Sequence, residues 1–328
     1  MEGGELPGVL VFALEGPYGV CEGHIGELQK QFSLITMTEF VENKTQFRQK
    51  IQAIYIWGGK PVIDRELLQS LPSLKIIANG GVGVNHLDLQ LIASFGVKVA
   101  NTPHAVSDPT ADLGMALLLA AARRVLEGCQ LAVAPDTEDF CVNWMGQEVT
   151  GATLGIVGMG SIGYRIAQRA KAFEMKILYH NRTRRKLEEE EAVGATYCER
   201  LDNLLQQSDF VMLVASLTPQ TRGLIGRREL RLMKPTSILV NISRGLLVDQ
   251  DALVDALQTG VISAAALDVT YPEPLPRDHP LLKLKNVTLT PHIGSATHQA
   301  RRQMMRDMTD SILAALGGRP VPNEVLLQ

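Results

Sequence analysis

Residues 153–163 read TLGIVGMGSIG, and few folds accommodate that order of residues. Residues 153–157 have the apolar, β-branched make-up of a short buried strand, and they run directly into Gly158, Gly160 and Gly163 at GxGxxG spacing. Beyond the glycines, Ile162, Ile166, Ala167 and Ala170 recur at helical intervals, so the turn opens a helix. The first amides of a helix have no partner within it, and its dipole places partial positive charge at the same end. A diphosphate is the natural occupant of such a turn. In this reading Gly158 allows the tight bend, Gly160 lets backbone approach the phosphates, and Gly163 lets helix pack on strand. Glycines alone equally end a strand, and it is the flanking strand and helix that give the pattern its meaning.

At 328 residues, the chain is long for one core, which predicts two domains. With 45% hydrophobic and 20% charged residues the composition is that of a soluble globular protein, and a net charge of -3 supplies no basic field for nucleic acid. Cys21, Cys129, Cys141 and Cys198 show no paired spacing, so neither a metal site nor a disulfide framework is predicted, and buried thiols in a reducing compartment are expected. The acidic start and the lack of a long apolar run predict a cytoplasmic protein with no membrane partner.

Short apolar runs at residues 9–14, 34–37, 53–57, 74–78 and 97–100 read as strands, with helical spacing between them at 25–29, 65–71 and 87–95. Such alternation predicts a parallel sheet covered on both faces. Residues 79–84, NGGVGV, follow a strand, either as a nest of amides for a small anion or as a turn with no ligand. After Asn101-Thr102-Pro103, an alanine- and leucine-rich helix is expected over 107–125, capped by Ser107 or Asp108 with Pro109 in its first turn. Residues 128–150 read as irregular, with Trp144 either marking a contact surface or serving as a local anchor. Further strands are expected at 176–179, 209–214, 237–241, 263–269 and 287–289, with a helix at 251–259 that Gly260 ends in a left-handed turn. A final helix over 296–316 is expected to return to the first domain. The expected architecture is α/β, with two doubly wound parallel-sheet domains. Residues 1–103 and 295–328 form a discontinuous substrate domain, and a dinucleotide-binding domain at 104–294 is inserted between hinges near Pro103 and Gly294.

A carboxylate about 20 residues beyond the glycines selects NAD by holding the ribose hydroxyls. Here that place reads His180-Asn181-Arg182-Thr183-Arg184-Arg185, without an acid. Guanidinium groups neutralise a 2'-phosphate and match its oxygens, so NADPH or NADP is favoured over NADH. The alternative for Arg184 and Arg185 is pairing with Glu188 and Glu189 on a solvated helix face.

A bound nicotinamide reducing a carbonyl needs a proton donor and a cation to orient the substrate. Arg244 in NISRG, Glu273 in LDVTYPEP and His292 in TPHIGS each follow an expected strand, where loops of an open parallel sheet gather around ligands. His292 suits the acid, Glu273 its orienting partner, and Arg244 a bridge to the substrate's carboxylate and carbonyl oxygens.

At these residues the sequence resembles the D-isomer-specific 2-hydroxyacid dehydrogenases, and more closely their glyoxylate and hydroxypyruvate reductase branch. GVG at 81–83, GIVGMGSIG, SLTPQT, NISRG, LDVTYPEPLPRDHPLL and PHIGSATH carry the likeness from about residue 74 to the end, and more loosely to the start. The resemblance implies a Rossmann nucleotide domain within a flavodoxin-like substrate domain. It makes Arg244, Glu273 and His292 the catalytic set and gives Val82, Gly83 and Ser295, with Arg244 and His292, to the substrate. It places the pyrophosphate on Gly160, Ser161 and Ile162, the nicotinamide carboxamide on Asp268, and the rest of the cofactor along Ser216, Ile242 and Gly294. It further implies a homodimer joined through the nucleotide domain, with Trp144 loosely matching a position that reaches a neighbour's substrate, while residues 131–142 depart from the family's wording. NADPH-dependent reduction of glyoxylate or hydroxypyruvate to the D-2-hydroxy acid is the expected activity. Two alternatives are a larger acid such as 2-ketogluconate and a cofactor-sensing protein like the corepressors of this fold, which usually keep an acidic ribose position and extra interaction segments absent here.

Overall fold

The structure is a computed structural model that describes residues 5–20, 22–135, 137 and 144–326. Cys21, Cys141, residues 1–4, most of the divergent 131–142 segment's second half and the last two residues lie outside that set. Two compact units emerge, one made of Met1–Val106 with Ser295–Gln328 and the other of Ser107–Gly294.

The first unit holds β1 (Gly8–Val11), β2 (Ser33–Thr36), β3 (Ile51–Ile56), β4 (Ile76–Asn79) and β5 (Lys98–Ala100), all parallel in the order β2-β1-β3-β4-β5. This is the flavodoxin-like arrangement. Successive side chains alternate between two cores, with Leu10, Ile54, Ile56 and Ile77 on one face and Val9, Val11, Tyr55 and Ile76 on the other. A sheet buried on both sides needs unbroken apolar runs, which is why the strands were legible. The helix His298–Leu316 packs on β3, β4 and β5, burying Met305, Met308 and Ile312 in the second of these cores.

The second unit holds β6 (Thr153–Val157), β7 (Lys176–His180), β8 (Ala195–Tyr197), β9 (Phe210–Leu213), β10 (Ile238–Asn241), β11 (Ala264–Leu267) and β12 (Val287–Leu289). They form one parallel sheet in the order β12-β11-β10-β9-β6-β7-β8, so its winding reverses between β6 and β9. β8 is absent from the sequence expectation: its three residues are too few to show alternation, and pairing with β7 defines it. Among the described residues no helix is long and apolar enough to cross a membrane.

The alanine-rich helix stops earlier than expected, at Ser107–Ala122, and a second helix, Val125–Val133, occupies part of the stretch expected to be irregular. Arg124 between them sits in the left-handed region at φ 52. Its guanidinium forks the Glu127 carboxylate at 2.9 and 2.8 Å and lies 3.9 Å over the Trp144 ring, so contacts along the chain turn the helix there. Trp144 is therefore half-buried beneath a guanidinium. Of the described thiols, Cys198 is buried as expected, while Cys129 is exposed, which corrects the expectation for that residue.

The glycine turn after β6 lies at the sheet's switch point. Gly158 has φ +103, and a Cβ there would come within 2.5 Å of the Ala215 amide nitrogen beyond β9. At Gly163 a Cβ would lie 2.2 Å from the Gly158 carbonyl oxygen. Neither neighbour is a flexible side chain that could swing aside. Gly163→Ala is expected to cost about 1–3 kcal/mol, the usual range for overpacking a tight contact. A melting temperature equal to wild type in a thermal scan would contradict this account of the turn.

Candidate active site

The helix Ser161–Ala172 begins at the turn with Gly160 as its cap and no side chain closing its end. A Cβ on Gly160 would meet nothing within 4 Å, so open space lies before the helix terminus. Twelve residues of helix dipole and the unclosed first-turn amides suit a diphosphate, and the turn therefore fits the group anticipated for it. Ser161 is exposed beside this space, Ser216 is exposed just past β9, and Ile242 is buried just past β10.

Strand order explains how three residues distant in sequence come together. β10, β11 and β12 are neighbours, and their carboxyl ends lead into Arg244, Glu273 and His292 respectively. Gly245 lets two of these loops touch, since a Cβ there would fall 2.1 Å from the Thr270 carbonyl. The Asn241 side chain ties its own loop by donating to the Arg244 carbonyl at 3.0 Å and accepting from the Ser243 amide at 3.1 Å.

His292 Nδ1 lies 2.9 Å from Glu273 Oε2. A carboxylate can only accept, so Nδ1 carries the proton and Nε2 is the ring nitrogen left for other partners. Burial works against ionised Glu273. The His292 hydrogen bond and charge, the Thr270 amide at 3.0 Å and the nearby Arg244 charge outweigh it, holding the carboxyl below the usual carboxylate range. Burial also lowers the Arg244 pKa, opposed by Glu273, but a guanidinium remains charged throughout. His292 itself is exposed and has φ 54, in the left-handed region that is uncommon outside glycine, although asparagine, aspartate and histidine enter it more readily than other residues.

Asp268 holds that strained turn. Its Oδ1 accepts the Thr290 hydroxyl at 2.7 Å and the Ile293 amide at 2.8 Å, its Oδ2 accepts the Gly294 amide at 2.9 Å, and its carbonyl accepts the His292 amide at 2.9 Å. The residue is 1% exposed. The side chain assigned to the carboxamide by resemblance thus also holds the Thr290 hydroxyl before His292 and the backbone amides just after it.

The three arginines beyond β7 part company. Arg184 forks Glu190, with Nε–Oε1 at 2.8 Å and Nη2–Oε2 at 2.7 Å, while Arg185 reaches Glu189 at 2.8 Å and the Met159 carbonyl at 2.7 Å. The expected pairing of Arg185 with Glu189 is present, but Arg184 chooses buried Glu190 in place of Glu188. Arg182 is exposed and meets no acceptor among the described residues, and Thr183 beside it is exposed too. The Arg184 fork is the main cause that holds Glu190 at about 2, against burial and with help from the Tyr179 hydroxyl. Its stabilising contribution is complete above the ordinary carboxylate range and disappears as pH falls toward that value. The melting-temperature advantage of wild type over Glu190→Gln is expected to hold near neutrality and to shrink below about pH 4.5. An advantage that grows on acidification would refute it.

In the first unit, the loop at 80–83 has its carbonyls tied down. Asn79 Nδ2 donates to the Gly81 and Gly83 carbonyls at 3.3 and 3.2 Å, and Asn101 Nδ2 donates to that of Val82 at 2.8 Å. The amides of Val82 and Gly83 meet no acceptor among the described residues, the arrangement a small anion requires. Ser295 begins this unit's second segment, half-buried.

The family model of the D-isomer specific 2-hydroxyacid dehydrogenase NAD binding domain matches residues 115–294, which include the glycine turn and all three strand-end residues. A glyoxylate reductase from Thermococcus litoralis is 46% identical over 268 residues, 80% of each chain. The chain belongs to the D-isomer specific 2-hydroxyacid dehydrogenase family. Glyoxylate/hydroxypyruvate reductase B from Enterobacter sp. (strain 638) is 43% identical across 81% of this chain and 82% of the relative. Among solved structures, an NADPH-dependent glyoxylate/hydroxypyruvate reductase from Sinorhizobium meliloti, in complex with NADP and malonate, superposes with a TM-score of 0.86 at 30% identity. That likeness covers 98% of this chain and 97% of the other.

As a 2-hydroxyacid dehydrogenase the chain carries two features that its motifs concealed. One is the bracing of His292 by Asp268, for which the only signal in sequence was an acid at a strand end, LDV. The other is the division of labour among the arginines, which RTRRKLEEEE left open because each had an acid within reach.

Proposed function

We propose that this dehydrogenase reduces glyoxylate, hydroxypyruvate or a similarly small 2-oxo acid to the D-2-hydroxy acid with NADPH. The observation that carries the reading is an imidazole held by a carboxylate, with an arginine on the adjoining loop, at the ends of three neighbouring strands. The reduced nicotinamide, when bound, supplies the hydride to the carbonyl carbon. Arg244 orients the acid and draws charge toward the carbonyl oxygen. His292 Nε2 gives that oxygen its proton and, being exposed, recovers one from water. Glu273 stays ionised and keeps Nδ1–H donated, so the same nitrogen faces the reaction in every turnover. Val82 and Gly83 amides are assigned to the substrate carboxylate, with Ser295 as a further contact. The amides of Gly160, Ser161 and Ile162 take the pyrophosphate, while Asp268, Ser216, Ile242 and Gly294 line the remaining cofactor path.

Arg182 is assigned to the ribose 2'-phosphate with Thr183 beside it, since Arg184 and Arg185 already hold carboxylates. We place the protein in the cytoplasm as a homodimer joined through the nucleotide-binding unit. The helix Val125–Val133 supports the dimer, because it buries none of its residues and exposes Val125, Leu126, Leu131 and Val133. Following NADPH and NADH absorbance over a panel of 2-oxo acids tests the whole reading: glyoxylate and hydroxypyruvate should turn over fastest, and a panel without turnover defeats it. Arg182→Ala should raise the KM for NADPH about tenfold or more, as loss of a charge-assisted contact implies, while that for NADH changes little. A wild type that prefers NADH removes the cofactor assignment alone.

A further inference from the structure

Residues 181–186 form a loop anchored at several points, and Glu190 lies at the centre of its anchorage. Glu190 is 4% exposed, on the helix Leu187–Val193. One carboxylate oxygen accepts both Arg184 Nε at 2.8 Å and the hydroxyl of wholly buried Tyr179 at 2.5 Å, and the other accepts Arg184 Nη2 at 2.7 Å. The Tyr179 hydroxyl in turn accepts the Arg185 amide at 3.0 Å, so the same carboxylate reaches the loop backbone through a second route. Upstream, the Asn181 carbonyl accepts the Tyr197 hydroxyl at 3.2 Å, and the Asn181 side chain bridges the Met159 amide and the Thr183 carbonyl, both at 3.1 Å. Arg184 and Lys186 of this loop are exposed as well, but among its three arginines Arg182 is the one whose guanidinium meets no acceptor among the described residues.

We propose that Glu190 is a positioning residue for cofactor selectivity: by gripping Arg184 and Tyr179 it fixes the loop so that Arg182 alone presents its guanidinium to a ribose 2'-phosphate. This rests on the NADPH reading above and adds to it a residue that touches no cofactor atom. An exposed ion pair would be too weak and mobile for the task, but this one is forked, buried on its acidic side and shared with a buried hydroxyl. These protonation states persist across the working range: Glu190, at about 2, stays ionised, and Tyr179, pushed up to about 12 by burial together with the Glu190 acceptor, stays a neutral donor.

The test is a double-mutant cycle read as KM for each cofactor and kcat with glyoxylate. Glu190→Gln keeps the side chain's shape but loses the charged fork. It should raise the KM for NADPH about tenfold, within the range for coupled neighbours, while leaving the KM for NADH and kcat within about twofold. Tyr179→Phe, which removes the second route, should move the same ratio in the same direction by a smaller factor. In an Arg182→Ala background the effect of Glu190→Gln on the ratio should vanish, because its only route to the phosphate is gone. A Glu190→Gln variant that changes both KM values equally, changes neither, or still shifts the ratio without Arg182 overturns the proposal, even where Arg182→Ala behaves as expected. If Arg182→Ala itself leaves the ratio unmoved, the cofactor reading fails first and this proposal with it.

Discussion

Replacement of His292 by asparagine is expected to lower kcat about 10²- to 10⁴-fold, the usual contribution of a positioned general acid. Asparagine is the informative choice because His292 has φ 54, and among residues other than glycine it tolerates the left-handed region best. Alanine there would mix loss of the acid with backbone strain. The KM for the cofactor should stay within about twofold and the melting temperature close to wild type, since the ring is exposed and the turn is held by Asp268 through backbone amides. Stopped-flow and steady-state measurements with glyoxylate would separate the hydride step from product release. A kcat within tenfold of wild type would show that another group delivers the proton.

The second large effect is expected at Asp268. Asp268→Ala leaves the buried Gly294 amide without its acceptor, at about 1–3 kcal/mol, and strips the part-buried Thr290 hydroxyl and Ile293 amide of theirs at a smaller cost each. The cofactor-free protein should therefore lose several degrees or more of melting temperature, and kcat should drop because the His292 turn is released from its strained form. Asp268→Asn keeps one oxygen for two donors but turns an amide NH₂ toward another N–H, so its loss should be smaller and of the same sign. If Asp268 served only to bind cofactor, the cofactor-free melting temperature would not move, and that outcome would refute the bracing role.

The candidate site was legible to an uneven degree. Arg244, Glu273 and His292 stood out because each follows a short apolar run, and strand ends in a parallel sheet share one edge. The glycine turn was legible for the same local reason, and its steric demands match the contacts found at Gly158 and Gly163. The arginines were not, because Glu188, Glu189 and Glu190 all lie within a few residues, and sequence spacing ranks them equally. Burial separated the acids: Glu190 faces inward against Tyr179, so it took the forked cation and left Arg182 without a carboxylate. The break at Arg124 was hidden too, because it depends on Trp144, twenty residues further along the chain and outside the helix pattern.

By itself the sequence determined two α/β units, their parallel sheets, the glycine turn and the three strand-end side chains proposed to react, because apolar periodicity and glycine chemistry act over a few residues of backbone. Only the tertiary structure decided that β10, β11 and β12 lie side by side, that Asp268 braces the His292 turn, and which arginine is left without a carboxylate. These outcomes depend on which polar groups are buried together, and a buried donor or acceptor takes whichever partner the packed chain brings within about 3 Å, whatever its distance in sequence.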